Sequence, residues 1–442
     1  MKRAALHNLG CKVNTYETEA MQQLLEDAGF LIVDFNEKAD VYIINTCSVT
    51  NIADRKSRQM LHRARRLNPE AIVVAAGCYA QNACQDILKE GMADIVLGNN
   101  KKKHLISVLE EYRLSKKTVI DWEDINDGKK EYEQLSISRT AEHTRAFIKI
   151  QDGCNQFCSY CIIPYARGRI RSRKPEDILA EIHTLSMAGY KEIVLTGIHL
   201  SSYGADFHDQ EYGENVSLLQ LLAQIHQIEG IARIRLGSLE PSIVTEQFAS
   251  ALAGMEKICP HFHLSLQSGC NSVLKRMNRR YLTEDYEERC KILRKYFENP
   301  AITTDVIVGF PGETEEEFQE TRRFLKKIEL YEMHIFKYSK RKGTKAAEMD
   351  GQVPETVKTR RSAQLIALGE ELSQAYRQSF VGHTVQALLE EPFIYEGKTY
   401  YTGYTKEYIK IAVEDEKNRS NSFSEGKIIR YLVHDIYLMV EF

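Results

Sequence analysis

The stretch QDGCNQFCSYCIIPYARGRIRSR constrains this chain more than any other segment. It places Cys154, Cys158 and Cys161 at spacings of four and three residues, with no fourth cysteine nearby. Thiolates bind soft metals, and a [4Fe–4S] cluster is normally held by four of them. Three thiolates leave one iron open to grip a substrate or cofactor. The alternative is a zinc knuckle, but a structural zinc requires four ligands, and no histidine lies close enough in sequence to complete the set locally.

The motif Cys-x3-Cys-x2-Cys, with Phe157 and Tyr160 between the thiols, resembles the signature of the radical S-adenosylmethionine (SAM) superfamily. In that superfamily the open iron chelates the amino and carboxylate groups of the methionine moiety of SAM. Reductive cleavage of SAM then yields a 5′-deoxyadenosyl radical. The resemblance therefore implies SAM and a [4Fe–4S] cluster as cofactors, with the protein positioning them.

Three further cysteines follow the strands of a repeated strand–helix pattern in the N-terminal part. The predicted strands are residues 4–9, 41–45 and 71–76, and the cysteines are Cys11, Cys47 and Cys78. Strands that alternate with helices predict a parallel sheet, and ligands of such sheets gather at the carboxyl ends of the strands. We therefore expect three loops at one edge to bring these thiols together as a second cluster site. The alternative, a buried free thiol, better suits Cys84, Cys259, Cys270 and Cys290.

The segments LGCKVNTYETE, NTCSVT and GCYAQ around these three cysteines resemble the cysteine motifs of the methylthiotransferases. That radical SAM family inserts a sulfur and a methyl group into an unactivated C–H bond. Its N-terminal domain holds an auxiliary [4Fe–4S] cluster, also with an open iron. With the later motifs, the resemblance covers nearly the whole chain and implies two [4Fe–4S] clusters, with no catalytic side chain beyond their ligands.

The central region repeats strand and helix about six times, which predicts a complete or partial barrel with its active site at the carboxyl ends of the strands. Polar residues at these ends are our candidates for SAM contacts. They are Thr196, Gly197, Ser238, Glu240, Gln267 and Asp305. An ordinary hydrogen-bonded role is the alternative for each of them. The blocks LTGIHLSSYG, LSLQSG and TTDVIVGFPGET around them resemble family motifs.

The last part of the chain alternates with period two and is rich in tyrosine and β-branched residues, which predicts an antiparallel sheet or small barrel. It resembles the TRAM module, a small β-barrel appended to RNA-modifying enzymes. Side chains that could stack on bases or meet phosphates are Tyr400, Tyr401, Tyr404, Tyr408, Lys406 and Lys410. Ordinary sheet packing is the alternative for the tyrosines.

Two basic groups in the central region are further candidates for contact with RNA phosphates. They are Arg167, Arg169, Arg171 and Arg173, and Lys275, Arg276, Arg279 and Arg280. Such contacts have to be local, because 59 basic against 62 acidic residues give a net charge of -3. Solvated charge is the alternative for each residue.

These observations predict an α/β chain with a parallel-sheet N-terminal domain (1–118), a linker (119–142), a radical SAM core (143–375) and a TRAM-like domain (376–442). No apolar run approaches the ~20 residues needed to span a bilayer, and the start of the chain turns polar too soon for a secretory signal. Ten cysteines, several in metal-like spacings, suit a reducing compartment. We therefore expect a cytoplasmic protein without a membrane partner.

The resemblance implies a tRNA methylthiotransferase, with tRNA, an electron donor protein and a sulfur source as partners. The blocks LGCKVNTYETEA and YSKRKGT look most like the branch that modifies N6-threonylcarbamoyladenosine at position 37, beside the anticodon. Neighbouring branches act on isopentenyladenosine in tRNA or on an aspartate of a ribosomal protein. A hypothesis of another class is a non-enzymatic iron–sulfur RNA-binding regulator, which would need the thiols and basic patches but no SAM pocket.

Overall fold

Six parallel strands form the N-terminal sheet in the computed structural model, which describes residues 2–140, 144–207 and 216–442. In chain order these strands, β1 to β6, are Arg3–Asn8, Leu31–Ile32, Val41–Thr46, Ile72–Ala76, Ile95–Leu97 and Val119–Asp121. Their order across the sheet is β2-β1-β3-β4-β5-β6. The helices of this part are Lys12–Asp27, Asn51–Leu67, Gly77–Asn82, Cys84–Lys89 and Leu105–Ser115. The predicted parallel sheet with alternating helices is confirmed.

The sheet continues beyond residue 118, where we expected a linker to begin. Val119–Asp121 pairs in parallel with Ile95–Leu97, and the Val119 side chain is buried. Trp122 then donates its indole N–H to the carbonyl of Gln81 at 2.9 Å. The expected start of the next domain, at residue 143, lies outside the described residues.

The central region is a curved layer of parallel strands that forms a partial barrel. Its strands, β7 to β13, are Arg145–Asp152, Arg171–Ser172, Glu192–Gly197, Arg233–Leu236, His261–His263, Ala301–Val308 and Glu332–Lys337. The short β8 pairs antiparallel with β7 at one edge. The other six are parallel in the order β7-β9-β10-β11-β12-β13, with β10 and β11 joined by single bridges. The predicted barrel is confirmed.

Apolar helices cover the outer face of this barrel, and the inner face is polar. Ile148 of β7 packs with Ile178 and Ile182 of the outer layer. Because side chains alternate along a strand, the neighbours Arg145 and Lys149 face the interior. Helices of this region are Ile163–Arg167, Pro175–Met187, Leu218–His226, Glu246–Ala253, Asn271–Arg276, Thr283–Tyr296, Glu315–Ile328 and Lys345–Glu348.

A 25-residue helix, Glu355–Ser379, leads into a closed five-stranded barrel. The strands are Thr384–Tyr395, Lys398–Thr405, Lys410–Glu414, Ser422–Val433 and Ile436–Glu441. They pair antiparallel except for one parallel contact that closes the barrel. The predicted small β-barrel is confirmed. Across the described part of the chain, helices lack the combination of length and apolarity that crossing a bilayer requires.

Candidate functional site

The three cysteines of the central motif open into a cavity of about 290 Å³ at the carboxyl ends of the barrel strands. Cys154, Cys158 and Cys161 are each partly exposed there. Val49 and Thr50 from the N-terminal sheet line the same cavity, so both domains build its wall. Polar and apolar residues of the barrel complete the lining, among them Gln156, Tyr160, His199, Ser265, Arg279, Phe336 and Tyr338.

Two N–H groups point at the thiols of this triad. The backbone of Gln156 donates to Cys154 Sγ at 3.4 Å, and the Arg279 guanidinium donates to Cys158 Sγ at 3.3 Å. Burial, together with the neighbouring Cys158, raises the pKa of Cys161 to about 12. The neutral form of the Cys161 thiol is therefore favoured at pH 7, and a bound metal has to displace its proton. The guanidinium favours that step, since it stabilises negative charge on sulfur.

Three of the six candidates for SAM contacts line this cavity, namely Glu240, Gln267 and Asp305. Glu240 accepts a 2.9 Å hydrogen bond from Arg279 and lies 3.7 Å from His199 Nε2. Gln267 has a φ of 70°, an unusual backbone conformation for a residue other than glycine. Their contact with SAM stays a prediction.

The other three candidates, Thr196, Gly197 and Ser238, are described residues outside the cavity lining. Thr196 is buried and Ser238 is exposed. Gly197 is required by a neighbour within the barrel: a Cβ at this position would lie 2.9 Å from Gln151 Oε1. That oxygen accepts the backbone N–H of His199 at 2.7 Å, which fixes the start of the loop after β9. Gln151 thus makes the close approach that glycine permits at position 197.

Cys11, Cys47 and Cys78 meet at the carboxyl edge of the N-terminal sheet, as the strand pattern predicts. Cys47 and Cys78 are buried and Cys11 is exposed. Burial, and then the adjacent Cys78 thiol, raises the pKa of Cys47. Gly10 has a φ of +106°, and a Cβ there would lie 2.9 Å from Cys47 Sγ. Glycine therefore lets the loop before Cys11 close onto the loop that carries Cys47.

The spacing of the thiols argues against single zinc ions. Within the described ranges, three ligand atoms of histidine, cysteine or carboxylate residues all lie within 4.8 Å of one another at one place. This group is formed by His263, Asp305 and His334. Four sulfurs around one zinc, each bonded at about 2.3 Å, would have to lie about 4 Å apart. In each cysteine triad at least one pair of sulfurs lies more than 4.8 Å apart, which is wider than a single zinc accepts.

Arg167 joins the second triad to the barrel through a fully buried ionic network. Its guanidinium donates to Cys78 Sγ at 3.3 Å and to Glu17 Oε1 at 2.8 Å. Lys149 binds the same Glu17 oxygen at 2.7 Å, and Lys102 lies 3.3 Å from the other one. Burial alone would raise the pKa of Glu17, but these three cations hold it well below its usual value. Asp152 of the barrel completes the network, 3.1 Å from Arg167.

This network corrects the prediction that the arginines after the first motif contact RNA. Arg167, Arg171 and Arg173 are at most 3% exposed. Arg171 lies 3.5 Å from Asp152, and Arg173 pairs with Glu181. The positive charges of these three arginines are neutralised by internal ion pairs.

In the two basic groups, three residues remain exposed and free to meet a phosphate: Arg169, Lys275 and Arg280. Arg169 stacks on the Phe157 ring at 4.4 Å. Arg276 pairs with Glu317 at 2.6 Å, and Arg279 serves the first triad. Position in the fold therefore separates residues that look alike in the sequence.

Four tyrosines of the C-terminal barrel that the sequence suggested for base stacking pack within the protein instead. Tyr400 and Tyr401 are buried. Tyr404 stacks on Tyr408 with ring centres 4.4 Å apart, and Arg145 of β7 lies over both rings. The base-stacking prediction is wrong for these four residues. The two lysines differ in their contacts. Lys406 donates a hydrogen bond to the Glu256 carbonyl at 2.7 Å, whereas the Lys410 ammonium lies 5.8 Å from the Tyr404 ring centre.

The block YSKRKGT meets the loop after Cys47. Arg341 donates to Ser48 at 2.9 Å and to Asn51 at 2.7 Å, and it pairs with Asp54 at 2.7 Å. Ser339 accepts the backbone N–H of Asn51 at 3.0 Å. The YSKRKGT block and the loop that follows Cys47 thus form one wall beside the cavity.

Several functional residues escaped the sequence analysis because their partners are remote in the chain. Arg279 lies 121 positions from Cys158, and Glu17 lies 150 positions from Arg167. Both arginines looked like surface charge in basic runs. The buried acid Glu17 lies on the same helix as ordinary surface acids, and only its position inside the apolar pattern of that helix could have marked it.

Comparison with known proteins places these features in a wider group. A family model described as Radical SAM superfamily matches residues 148–325, and one described as Uncharacterized protein family UPF0004 matches residues 3–98. The Threonylcarbamoyladenosine tRNA methylthiotransferase MtaB of Bacillus subtilis is 42% identical, over 97% of this chain and 94% of its own. The protein of the same name from Aquifex aeolicus is 41% identical, over 98% of this chain and 100% of its own.

Relatives with a second name also match. The tRNA-2-methylthio-N(6)-dimethylallyladenosine synthase of Caldicellulosiruptor saccharolyticus is 38% identical over 86% of this chain and 80% of its own. Among solved structures, the radical SAM methyltransferase TsrM of Kitasatospora setae shares the fold, with a TM-score of 0.55 and 16% identity over 76% of this chain and 73% of that one.

Proposed function

Because this chain belongs to the radical SAM methylthiotransferase family, we propose that it converts N6-threonylcarbamoyladenosine at position 37 of tRNA to its 2-methylthio derivative. One observation carries the proposal: relatives with the threonylcarbamoyladenosine name match at 42% and 41% over nearly the whole chain. A relative named for dimethylallyladenosine matches at 38% over a smaller share of the chain.

The radical SAM family uses SAM and a [4Fe–4S] cluster, and the first triad fits that cluster. Cys154, Cys158 and Cys161 would hold it, with Glu240 and Asp305 beside it in the cavity. The second triad supports our proposal of a second [4Fe–4S] cluster, held by Cys11, Cys47 and Cys78. When bound, the first cluster would supply the electron that cleaves SAM, and the second would carry the sulfur, which a second SAM would methylate.

The residues of the chain support this chemistry by placing positive charge beside both triads. Arg279 and Arg167 each place a buried positive charge against one cysteine of a triad. Both arginines are in turn held by carboxylates, so their positions are fixed before any substrate arrives. Val49 and Thr50 close the first cavity from the side of the second triad. An adenine held in the barrel interior would therefore lie within reach of both sites.

The reaction needs three partners. A tRNA would supply the substrate, an electron donor protein the reducing equivalent, and a sulfur source the sulfur of the methylthio group. Exposed residues of the C-terminal barrel, such as Arg430 and Tyr431, support a role in gripping the tRNA away from the chemistry.

The proposal is tested with reconstituted protein, a chemical reductant, SAM and an anticodon stem-loop that carries N6-threonylcarbamoyladenosine. The expected products are 5′-deoxyadenosine and the 2-methylthio nucleoside. The variant C11A/C47A/C78A should keep SAM cleavage and lose the methylthio product, whereas C154A/C158A/C161A should lose both. Full methylthio product from the first variant would contradict the assigned role of the second triad. Absence of SAM cleavage in the wild-type chain would favour the RNA-binding regulator.

A further inference from the structure

Lys12 carries a positive charge at the N-terminus of a helix, where positive charge is unfavourable. It is the first residue of the helix Lys12–Asp27, directly after Cys11. The positive end of the helix dipole favours acidic residues, yet the first turn of this helix contains none. Among the described residues, none accepts a hydrogen bond from Lys12 or forms an ion pair with it. Both facts indicate that Lys12 serves a ligand instead of stabilising the helix.

Lys12 extends toward the polar interior of the barrel. Its residue is exposed to solvent, although much protein surrounds the ammonium. Burial and the charges of Arg235 and Arg145 lower the pKa of Lys12 and the charge of Glu192 raises it, so the ammonium lies near these three residues. The strands that carry them also form the floor on which the C-terminal barrel docks, since Arg235 donates to the Lys406 carbonyl at 2.9 Å.

Positive charge exceeds negative charge at this floor. Glu192 lies 2.9 Å from Arg235, 3.8 Å from Arg233 and 3.9 Å from Arg145, so three arginines share one carboxylate. Glu390 pairs with Arg145 at 2.9 Å and offsets one further charge. Lys12 adds a fourth cation, and Glu407 acts on Arg233 as a third and more distant carboxylate. An anion from outside the chain would restore the balance.

A second unpartnered group lies at the same floor. His261 is 7% exposed and stacks on Tyr408 with ring centres 4.8 Å apart. Its Nδ1 atom is buried and has no hydrogen-bond partner in the described structure. Burial and the nearby charges of Arg235 and Lys12 keep its pKa well below the usual value, so the ring is neutral and can donate one hydrogen bond. A buried polar atom without a partner calls for a physical explanation, and a hydrogen bond to a ligand would supply one.

We propose that Lys12, backed by Arg235 and His261, forms an anion subsite that receives the carboxylate of the threonylcarbamoyl group of the substrate. This inference rests on the proposed function and names what selects its substrate. The threonine part of that nucleoside carries a free carboxylate, whereas an isopentenyl group is uncharged. An alkyl group at this floor would leave the cations desolvated without a counter-charge, which disfavours it.

The test compares two anticodon stem-loops that differ at one group. One carries N6-threonylcarbamoyladenosine, and the other carries its threonine carboxamide, which has the same shape but no charge. For wild-type protein, kcat/KM should be about 10- to 100-fold higher with the carboxylate, the usual value of a charge-assisted hydrogen bond. Lys12→Met and Lys12→Gln should abolish this preference, and Lys12→Arg should keep it.

Controls separate recognition from damage to the neighbouring cluster site. Iron content and SAM cleavage should be unchanged in each Lys12 variant, and Lys117→Met, at an exposed lysine of the same domain, should behave as wild type throughout. Equal rates of wild-type protein on both stem-loops would overturn the inference, as would a preference that survives in both Lys12→Met and Lys12→Gln. Failure of the proposed function looks different: the wild-type chain would then modify neither threonylcarbamoyl stem-loop but would act on isopentenyladenosine.

Discussion

Arg167→Met tests whether the buried network binds the N-terminal sheet to the barrel. The guanidinium is 0% exposed and contacts Glu17, Asp152, Asn14 and Cys78, so its removal leaves two carboxylates short of a counter-charge. Breaking a buried ion pair from one side costs about 3–5 kcal/mol. Because Lys149 and Lys102 remain beside Glu17, we expect a loss near the lower limit, about 3 kcal/mol in the free energy of unfolding.

Urea unfolding followed by circular dichroism measures this loss as a lower midpoint at an unchanged slope. Arg169→Met is the matched control, since that arginine is exposed and only stacks on Phe157, and it should stay within about 1 kcal/mol of wild type. In Arg167→Met, Glu17→Gln should cost less than it does in wild type, because the two changes are coupled. Equal midpoints for Arg167→Met and Arg169→Met would refute the reasoning.

The pH dependence of the same variant has a defined sign. The pKa of Glu17 is depressed in the folded protein, so its contribution to stability is present above the unfolded pKa of about 4.3 and is lost as the pH falls through the folded value. Without Arg167 the folded pKa of Glu17 rises. The stability difference between wild type and Arg167→Met should therefore shrink as the pH falls below about 4.3, and a difference that grows there would contradict this assignment.

Three further predictions concern the clusters and the C-terminal barrel. Reconstituted protein should bind about eight irons per chain, and C154A/C158A/C161A should bind about half as many; zinc in place of iron would be evidence against both clusters. Gly10→Ala places a Cβ 2.9 Å from Cys47 Sγ at a φ of +106°. It should lower the iron bound at the second triad and leave SAM cleavage unchanged. Unchanged iron content would show that the loop moves to accommodate the methyl group. Removal of residues from 381 onward should weaken tRNA binding and flatten its salt dependence, with equal affinities and slopes as the contrary result.

The sequence predicted features that depend on local pattern. The strand ends, the cysteines that follow them and the period-two barrel could all be predicted from the sequence. The cysteines could be grouped because parallel strands bring their carboxyl ends to one edge of the sheet. The six cysteines therefore fall where two triads are expected, although their occupation by clusters stays a prediction.

The roles of single charged and aromatic residues could not be predicted from the sequence, because they depend on partners far along the chain. Arg167 and Arg169 look alike in sequence, yet one is buried against Glu17 and the other is exposed. Tyr408 belongs to a pattern that equally suits base stacking, but its hydroxyl accepts a hydrogen bond from Arg145, 263 positions away. Such pairings arise from domain docking, which periodicity does not encode.

Mass spectrometry of tRNA nucleosides tests the central claim most directly. Cells that lack their own methylthiotransferases would express either this chain or C11A/C47A/C78A, and the nucleosides of their tRNA would be compared. We expect 2-methylthio-N6-threonylcarbamoyladenosine with the wild-type chain and unchanged N6-threonylcarbamoyladenosine with the variant. Unchanged N6-threonylcarbamoyladenosine with the wild-type chain, alongside newly methylthiolated isopentenyladenosine, would contradict the account.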